Sequence, residues 1–157
     1  MLNMRGRNRP ASNPSLEAYA ATVEQILPAV GIDPAAARMN IEGGYGWSFQ
    51  RGSALIEIYV SQQDNLGYLQ VLSPIIHLPM SNLLPLYRRL LELNLQLTAA
   101  AVGVHLDVVY VFSERPLEGM DANEANTIIN LVSGYADDLD DRLVSEFGGR
   151  LYAKVNG

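Results

Sequence analysis

Apolar positions recur along the chain with two periods, and the switches between them mark the elements. Leu16, Ala20, Val23, Leu27 and Val30 step by four, three, four and three, the spacing of an amphipathic helix. Ser15 is placed to cap that helix, and Pro28 and Gly31 bend or end it. Pro34 and a short alanine-rich stretch predict a loop or a turn of helix. From Tyr45 the period becomes two. Tyr45, Trp47 and Phe49 alternate with Gly46, Ser48 and Gln50, so the three aromatics share one sheet face. "RGS" at Arg51 to Ser53 reads as a turn into a second strand. There Ala54, Ile56, Ile58 and Val60 point one way, with Leu55, Glu57 and Tyr59 on the other side. Asp64-Asn65 predicts a further turn, and "YLQVLSPII" a third strand from Tyr68. Pro74 cannot donate to a ladder, so that strand ends there or lies at an edge.

A second helix starts near Ser81 or Asn82 and runs through "LYRRLLELNLQL", with Pro85 tolerated in the first turn. Two strands follow, "AAVGVHL" and "VVYVFSE", joined tightly around His105 to Asp107. Asp121 and Glu124 have capping-box spacing and open a long helix that Gly148-Gly149 stops. The order is α-β-β-β-α-β-β-α, with connections too short for crossovers. That implies an α+β fold, an antiparallel five-stranded sheet with helices packed on it. The chain of 157 residues is long enough for one domain with a sizeable core. Residues 1–14 read as a flexible basic tail, 15–152 as the single domain and 153–157 as a C-terminal tail.

The middle helix has more apolar surface than a single core requires. With Leu83 at zero, its leucines and Tyr87 spread over an arc of about 200°, whereas covering one sheet face takes a stripe of about 100°. Either the helix is buried between two elements of its own domain, or its second face makes a homodimer through a self-complementary two-fold contact. Leu84, Tyr87, Leu91 and Leu95 are the candidate dimer interface.

Charge narrows the partners. Seventeen acids against eleven bases give −6, and without Arg5, Arg7 and Arg9 of the tail the remaining 17 and 8 give −9. A body that acidic repels a phosphate backbone, which argues against nucleic acid as the main partner. The tail "RGRNRP" reads as a solubilising end rather than an RNA- or lipid-binding arm. There is no cysteine, which excludes disulfides, thiol catalysis and Cys-ligated zinc. No stretch approaches the roughly 20 apolar residues of a membrane span. The N-terminal arginines have no apolar run behind them, so no secretory signal is expected and the reading is cytoplasmic.

Candidate chemistry is thin. In "YADDLDD" a helix at 100° per residue sends Asp137 and Asp141 away from the apolar stripe of Ile128, Val132, Tyr135, Leu139 and Leu143. Asp138 and Asp140 fall on opposite flanks, so the four carboxylates cannot reach one ion. They read as a solvated face, with Asp138 paired to Arg142 four residues on. The glycines of "EGGYGW" precede a strand rather than a helix N-terminus, so no phosphate cradle is expected. His77 and His105 stand in unrelated contexts, and His105 with Asp107 does not make a Ser-His-Asp arrangement. No catalytic, metal or cofactor residue is assigned.

The segments "GSALIEIYV", "YLQVLSPI", "PLYRRLLELNLQLTAAAVGVHLDVVYV", "RPLEGMDANEA" and "YADDLDD", in that order, resemble the YbjN-domain family of bacterial proteins, which shares the fold of type III secretion chaperones of the Tir-chaperone type. The likeness spans roughly Ser15 to Gly149, and its most specific piece is Leu90-Leu91-Glu92-Leu93-Asn94. The Arg-bearing tail is not part of the family pattern. The resemblance implies a chaperone-like α+β fold, commonly a homodimer, with no catalytic residues to carry over and a regulatory label. The expected function is a non-enzymatic adaptor or chaperone-like homodimer that binds a protein or peptide, with Tyr45, Trp47 and Phe49 as the partner-binding surface. The alternative is a small-molecule sensor or enzyme with a pocket between sheet and helices, lined by Arg51, Glu57, Tyr59 and Asp107.

Overall fold

Ser15 caps the first helix as its position predicts, its Oγ accepting from the Ala18 N–H at 3.4 Å. The computed structural model describes residues 15–152; the segments 1–14 and 153–157 read above as tails lie outside the described residues. Helix α1 (Leu16–Ile26) continues as a 3₁₀ turn over Leu27–Val30 and stops where Gly31 takes φ +79. A single turn, α2 (Pro34–Ala37), follows, capped by the Asp33 carboxylate.

The chain then builds a sheet. Strands β1 (Arg38–Met39), β2 (Gly44–Arg51), β3 (Ala54–Gln63) and β4 (Leu66–His77) are consecutive antiparallel neighbours. Helix α3 (Leu83–Leu93) intervenes before the hairpin β5 (Ala101–His105) and β6 (Val108–Pro116). Helix α4 (Ala122–Phe147) and β7 (Arg150–Leu151) close the described chain. The order is β1-β2-β3-β4-β6-β5, with β7 beside the end of β4, so the sheet has seven strands rather than the five expected. The five long strands are those the alternation marks. The two extra ones hold two residues each, too few to show a period.

Pro74 is a second correction, because β4 neither ends there nor lies at an edge. It runs on to His77 between β3 and β6, with a bulge between Pro74 and Ile76. The β3 ladder stops at Leu72, and β7 takes over at Ile76. Proline therefore occupies the stretch of β4 where only β6 is in register, and its missing N–H costs little.

Helices α1, α3 and α4 cover one face. Helix α4 lies along β4 and touches β6 and β3; α1 packs on β2, β3 and α4; α3 packs on β5 and α4. Between the layers sit Val23, Leu27, Trp47, Ile56, Ile58, Val71, Val109, Ile129 and Leu143, all essentially inaccessible. The capping box that opens α4 is complete: Asp121 accepts from the Glu124 N–H at 2.8 Å, and Glu124 returns the bond at 3.1 Å. Helix α3 ends at Leu93, earlier than the leucine pattern extends, because Leu95, Gln96 and Leu97 turn back on Glu92 and Leu93. Asn94 then bonds both backbone groups of Val102 on β5, accepting at 2.7 Å and donating at 3.2 Å. Its amide stands in for a neighbouring strand and occupies the middle of that sheet edge.

Trp47 is the largest of the fully buried side chains, and its indole N–H meets no acceptor among the described residues. Trp47→Ala should cost about 3–5 kcal/mol of stability, the usual range for emptying a large aromatic site. Trp47→Phe should cost clearly less, since no hydrogen bond is lost. Urea unfolding followed by circular dichroism reads both values.

Candidate functional site

Helix α3 divides its leucines between two environments. Leu86, Leu90 and Leu93 are buried against the sheet and α4. Leu84, Leu91 and Leu95 are 80, 70 and 91 % exposed, and Tyr87 is 37 % exposed. The helix is therefore not sandwiched inside its own domain, and the reading that buried both faces is set aside. Leu84 and Leu91 lie seven residues apart, two turns along one stripe, and the turn after Leu93 carries Leu95 beyond them. The Arg88 Nε–Glu92 pair, at 3.0 Å, occupies the polar flank.

Exposed apolar residues continue past the helix, interleaved with polar ones. A broad groove joins Met80, Leu83 and Tyr87 to Leu106 at the tip of the β5–β6 hairpin and to the end of α4 at Phe147. Met80 and Leu106 are fully or largely exposed. Leu106 holds φ +51 in the tight turn, which turns its side chain outward instead of into the core. Neither residue stands out from sequence periodicity, since both sit in turns. Their signal is a large apolar residue where turn chemistry asks for a polar one.

The second surface is the sheet face that the helices leave open. Register places Ser48, Glu57, Leu72, Phe112 and Ala101 in one row across β2, β3, β4, β6 and β5, with Tyr59, Gln70 and Glu114 in the next. Tyr110 lies beyond Phe112 on the same face. Glu57, Tyr59, Gln70, Leu72, Tyr110, Phe112 and Glu114 line a hollow of about 410 Å³. The Tyr59 hydroxyl donates to Glu57 at 3.3 Å, and the Gln70 amide donates to Glu114 at 2.6 Å. Burial, helped by the Glu57 charge, pushes the Tyr59 phenol up to about 12, and burial also raises Tyr110. Sequence alternation alone could have shown that Tyr110, Phe112 and Glu114 share a face, but only the strand order brings them beside Glu57 and Tyr59.

The remaining sequence candidates disperse. Trp47 and Phe49 are buried in the core, and Tyr45 is half-buried at the rim, with the Arg38 guanidinium 4.8 Å from its ring centre and 5.3 Å from that of Trp47. Glu57 and Tyr59 lie on the open face, away from the helices. Arg51 instead reaches α4, donating to Asn130 at 2.6 Å, and Asp107 sits in the β5–β6 turn, where it lines the groove beside α3 with Asn82, Glu146 and Arg150. These four do not line one pocket. His105 is exposed, and His77 stacks on Tyr152 with ring centres 5.1 Å apart. Among the described residues no cluster of His, Asp and Glu could hold a metal, and no helix is long and apolar enough to cross a membrane.

The acidic run is only half a solvated face. The stripe of α4 that meets the sheet passes through Ala125, Ile129, Val132, Ala136, Asp140 and Leu143, rotated from the one through Ile128 and Tyr135. Asp140 is thus buried, and Asp137 leans over the β2–β3 turn. Asp137 accepts from the Ser53 N–H at 2.9 Å and from its hydroxyl at 3.0 Å, while Asp140 lies 2.6 Å from the same hydroxyl. Gly52 at φ +59 lets this approach happen, because a β-carbon there would strike the Asp137 carboxylate. Asp138 pairs with Arg142 at 2.8 Å as the spacing predicts, and Asp141 stays exposed.

A family model described as TY-Chap1, T3SS (YopN, CesT) and YbjN peptide-binding chaperone 1, matches residues 20–155. The chain belongs to that family, in agreement with the likeness read from its sequence. No curated protein matches it.

The Ser53 clasp makes opposite demands on its two carboxyls. The Ser53 N–H, then its hydroxyl, holds Asp137 below its ordinary 3.8, so its contribution is present above that pH and fades as pH falls through the lower folded value. Burial pushes Asp140 upward, so the stability tied to it falls as pH rises past 3.8. Asp137→Ala should cost about 1 kcal/mol at neutral pH, with the deficit shrinking in acid. Asp140→Asn should leave neutral-pH stability equal or higher. Urea midpoints at neutral and acid pH check both signs.

Proposed function

We propose that this chain is a non-enzymatic, peptide- or protein-binding adaptor of the chaperone type that works as a homodimer in the cytoplasm. The exposed side of α3 carries the reading. A helix that already buries Leu86, Leu90 and Leu93 has no intradomain use for Leu84, Leu91 and Leu95, yet presents them to water. Burying each would contribute roughly 1.5–3 kcal/mol, and a patch extended by Met80, Leu83 and Leu106 would otherwise be an aggregation hazard. A second copy of α3 meeting the first about a two-fold axis buries the same residues on both chains, Leu91 near the axis and Leu84 and Leu95 flanking it. The polar flank of Arg88 and Glu92 suits the rim of such a contact.

The peptide-binding description of the family supports a polypeptide partner. The rim around Tyr45, with Arg38 stacked over it and Trp47 and Phe49 supporting it from the core, is one surface this reading offers to that partner. A regulatory role, if binding serves one, follows from sequestering or releasing the bound segment.

Leu91→Glu should halve the native mass measured by light scattering while leaving the circular dichroism spectrum unchanged, because an exposed residue is not needed for the fold. Wild-type protein that stays monomeric across the accessible concentration range would refute the dimer.

A further inference from the structure

Among the described residues, Glu57 and Glu114 are the only carboxylates lining the hollow on the open sheet face, no arginine lines it, and His105 is its one base. Neither glutamate forms an ion pair among the described residues. Their hydrogen bonds come from neutral donors, the Tyr59 hydroxyl and the Gln70 amide. Among the described residues only Glu24, Glu92, Glu124 and Asp138 pair with an arginine, so what sets Glu57 and Glu114 apart is the apolar and aromatic hollow they line. The hollow is therefore a place where negative charge is set among apolar and aromatic side chains without compensation. Tyr59, Tyr110, Phe112 and Leu72 supply its walls.

From this arrangement we infer that the open sheet face binds an extended peptide segment bearing arginine or lysine, with the cationic heads on Glu57 and Glu114 and the stems against Tyr59, Tyr110 and Phe112. The inference rests on the peptide-binding reading above and adds the partner's chemistry and the surface that takes it. A cation beside an aromatic face gains from the ring quadrupole as well as from the carboxylate, and a long basic side chain can lay its apolar stem on Leu72. The dimensions suit a peptide rather than a lone ion. Glu57 and Glu114 are two strands and one two-residue step apart, a Cα separation of about 12 Å by sheet geometry. Cations two to four residues apart on an extended segment span that gap with their flexible side chains. Small neighbours leave the approach free, since Gly46, Ser48, Ala101 and Gly103 border the same rows. The acidic balance of the body, −9 without the first segment, draws such a segment in from a distance.

The test uses the full chain and three fluorescein-labelled synthetic peptides of alternating valine with arginine, glutamine or glutamate. Fluorescence anisotropy should show the arginine peptide binding best, with an affinity that falls as salt rises. Glu57→Gln combined with Glu114→Gln should weaken it at least about tenfold. Glu17→Gln with Asp141→Asn makes the same change in net charge on exposed helix positions and should shift affinity less than about twofold. Glu114→Gln alone, at an exposed position that the fold does not require, should give an intermediate loss. Tighter binding by a variant with Arg5, Arg7 and Arg9 changed to serine supports the same site, with the chain's own first segment as a competitor for it. Equal loss in the Glu17/Asp141 pair assigns the effect to net charge and overturns the site. Equal binding of the arginine and glutamine peptides overturns the charge assignment while leaving peptide binding standing. Failure of all three peptides to bind overturns both.

Discussion

The domain depends on one layer of buried side chains, trapped between an antiparallel sheet and helices that lie on one side of it only. Trp47, Ile58, Val71 and Val109 give that layer its sheet half, and Val23, Ile129 and Leu143 its helical half. Each strand can satisfy the layer with alternate residues and each helix with a single stripe. Whatever else those elements carry must face outward. The outward side of the sheet shows Glu57, Tyr59, Phe112 and Glu114, and that of α3 shows Leu84, Leu91 and Leu95. Both candidate surfaces are consequences of the same one-sided packing.

The layer also explains why an acidic run survives in the longest helix. The sheet-facing stripe of α4 arrives at Asp140 next to the β2–β3 turn, where its carboxylate shares the Ser53 hydroxyl with Asp137. A carboxylate there costs desolvation, seen in its upward-shifted pKa, but Ser53 and the Asp141 N–H offset part of it. One turn earlier, Asp137 reaches the Ser53 N–H that a two-residue hairpin otherwise leaves to water. The run is thus divided by helix geometry into a clasp on the hairpin and a wet side held by Arg142.

Most of the fold was legible because its strong elements repeat with a clear period and end at recognisable residues. Ser15, Asp121 and Gly31 act where their chemistry predicts, and the five long strands follow the alternation. What escaped has physical reasons. Strands β1 and β7 are shorter than any period, and Pro74 is tolerated centrally only because β3 and β7 leave a gap in register that no local pattern shows. The α4 stripe was misplaced by less than one residue step, enough to send Asp140 inward, since aromatic Tyr135 and apolar Ile128 were weighted over Ala125, Ala136 and Ser133. The excess of leucine on α3 was legible from its arc alone, whereas the sheet-face hollow was not, because it is assembled by pairing β4 with β6 across an intervening helix and β5.

The two outward surfaces differ in kind, and that difference constrains how they can be used together. The exposed stripe of α3 is apolar with the Arg88–Glu92 pair on its flank, so a second copy would cover it without burying an unmatched charge. The sheet face carries two uncompensated carboxylates, so another copy of the same face would meet it with like charge and be repelled. The proposed association of this chain with itself would accordingly run through α3 and away from the hollow. Because α3 packs beside β5 on the covered side of the sheet, a contact through its far face leaves the open side of each sheet accessible. A dimer built this way would present two acidic-aromatic faces, one per chain. A single basic segment long enough to reach both would then be held by both, at an effective concentration set by the span between them rather than by its concentration in solution.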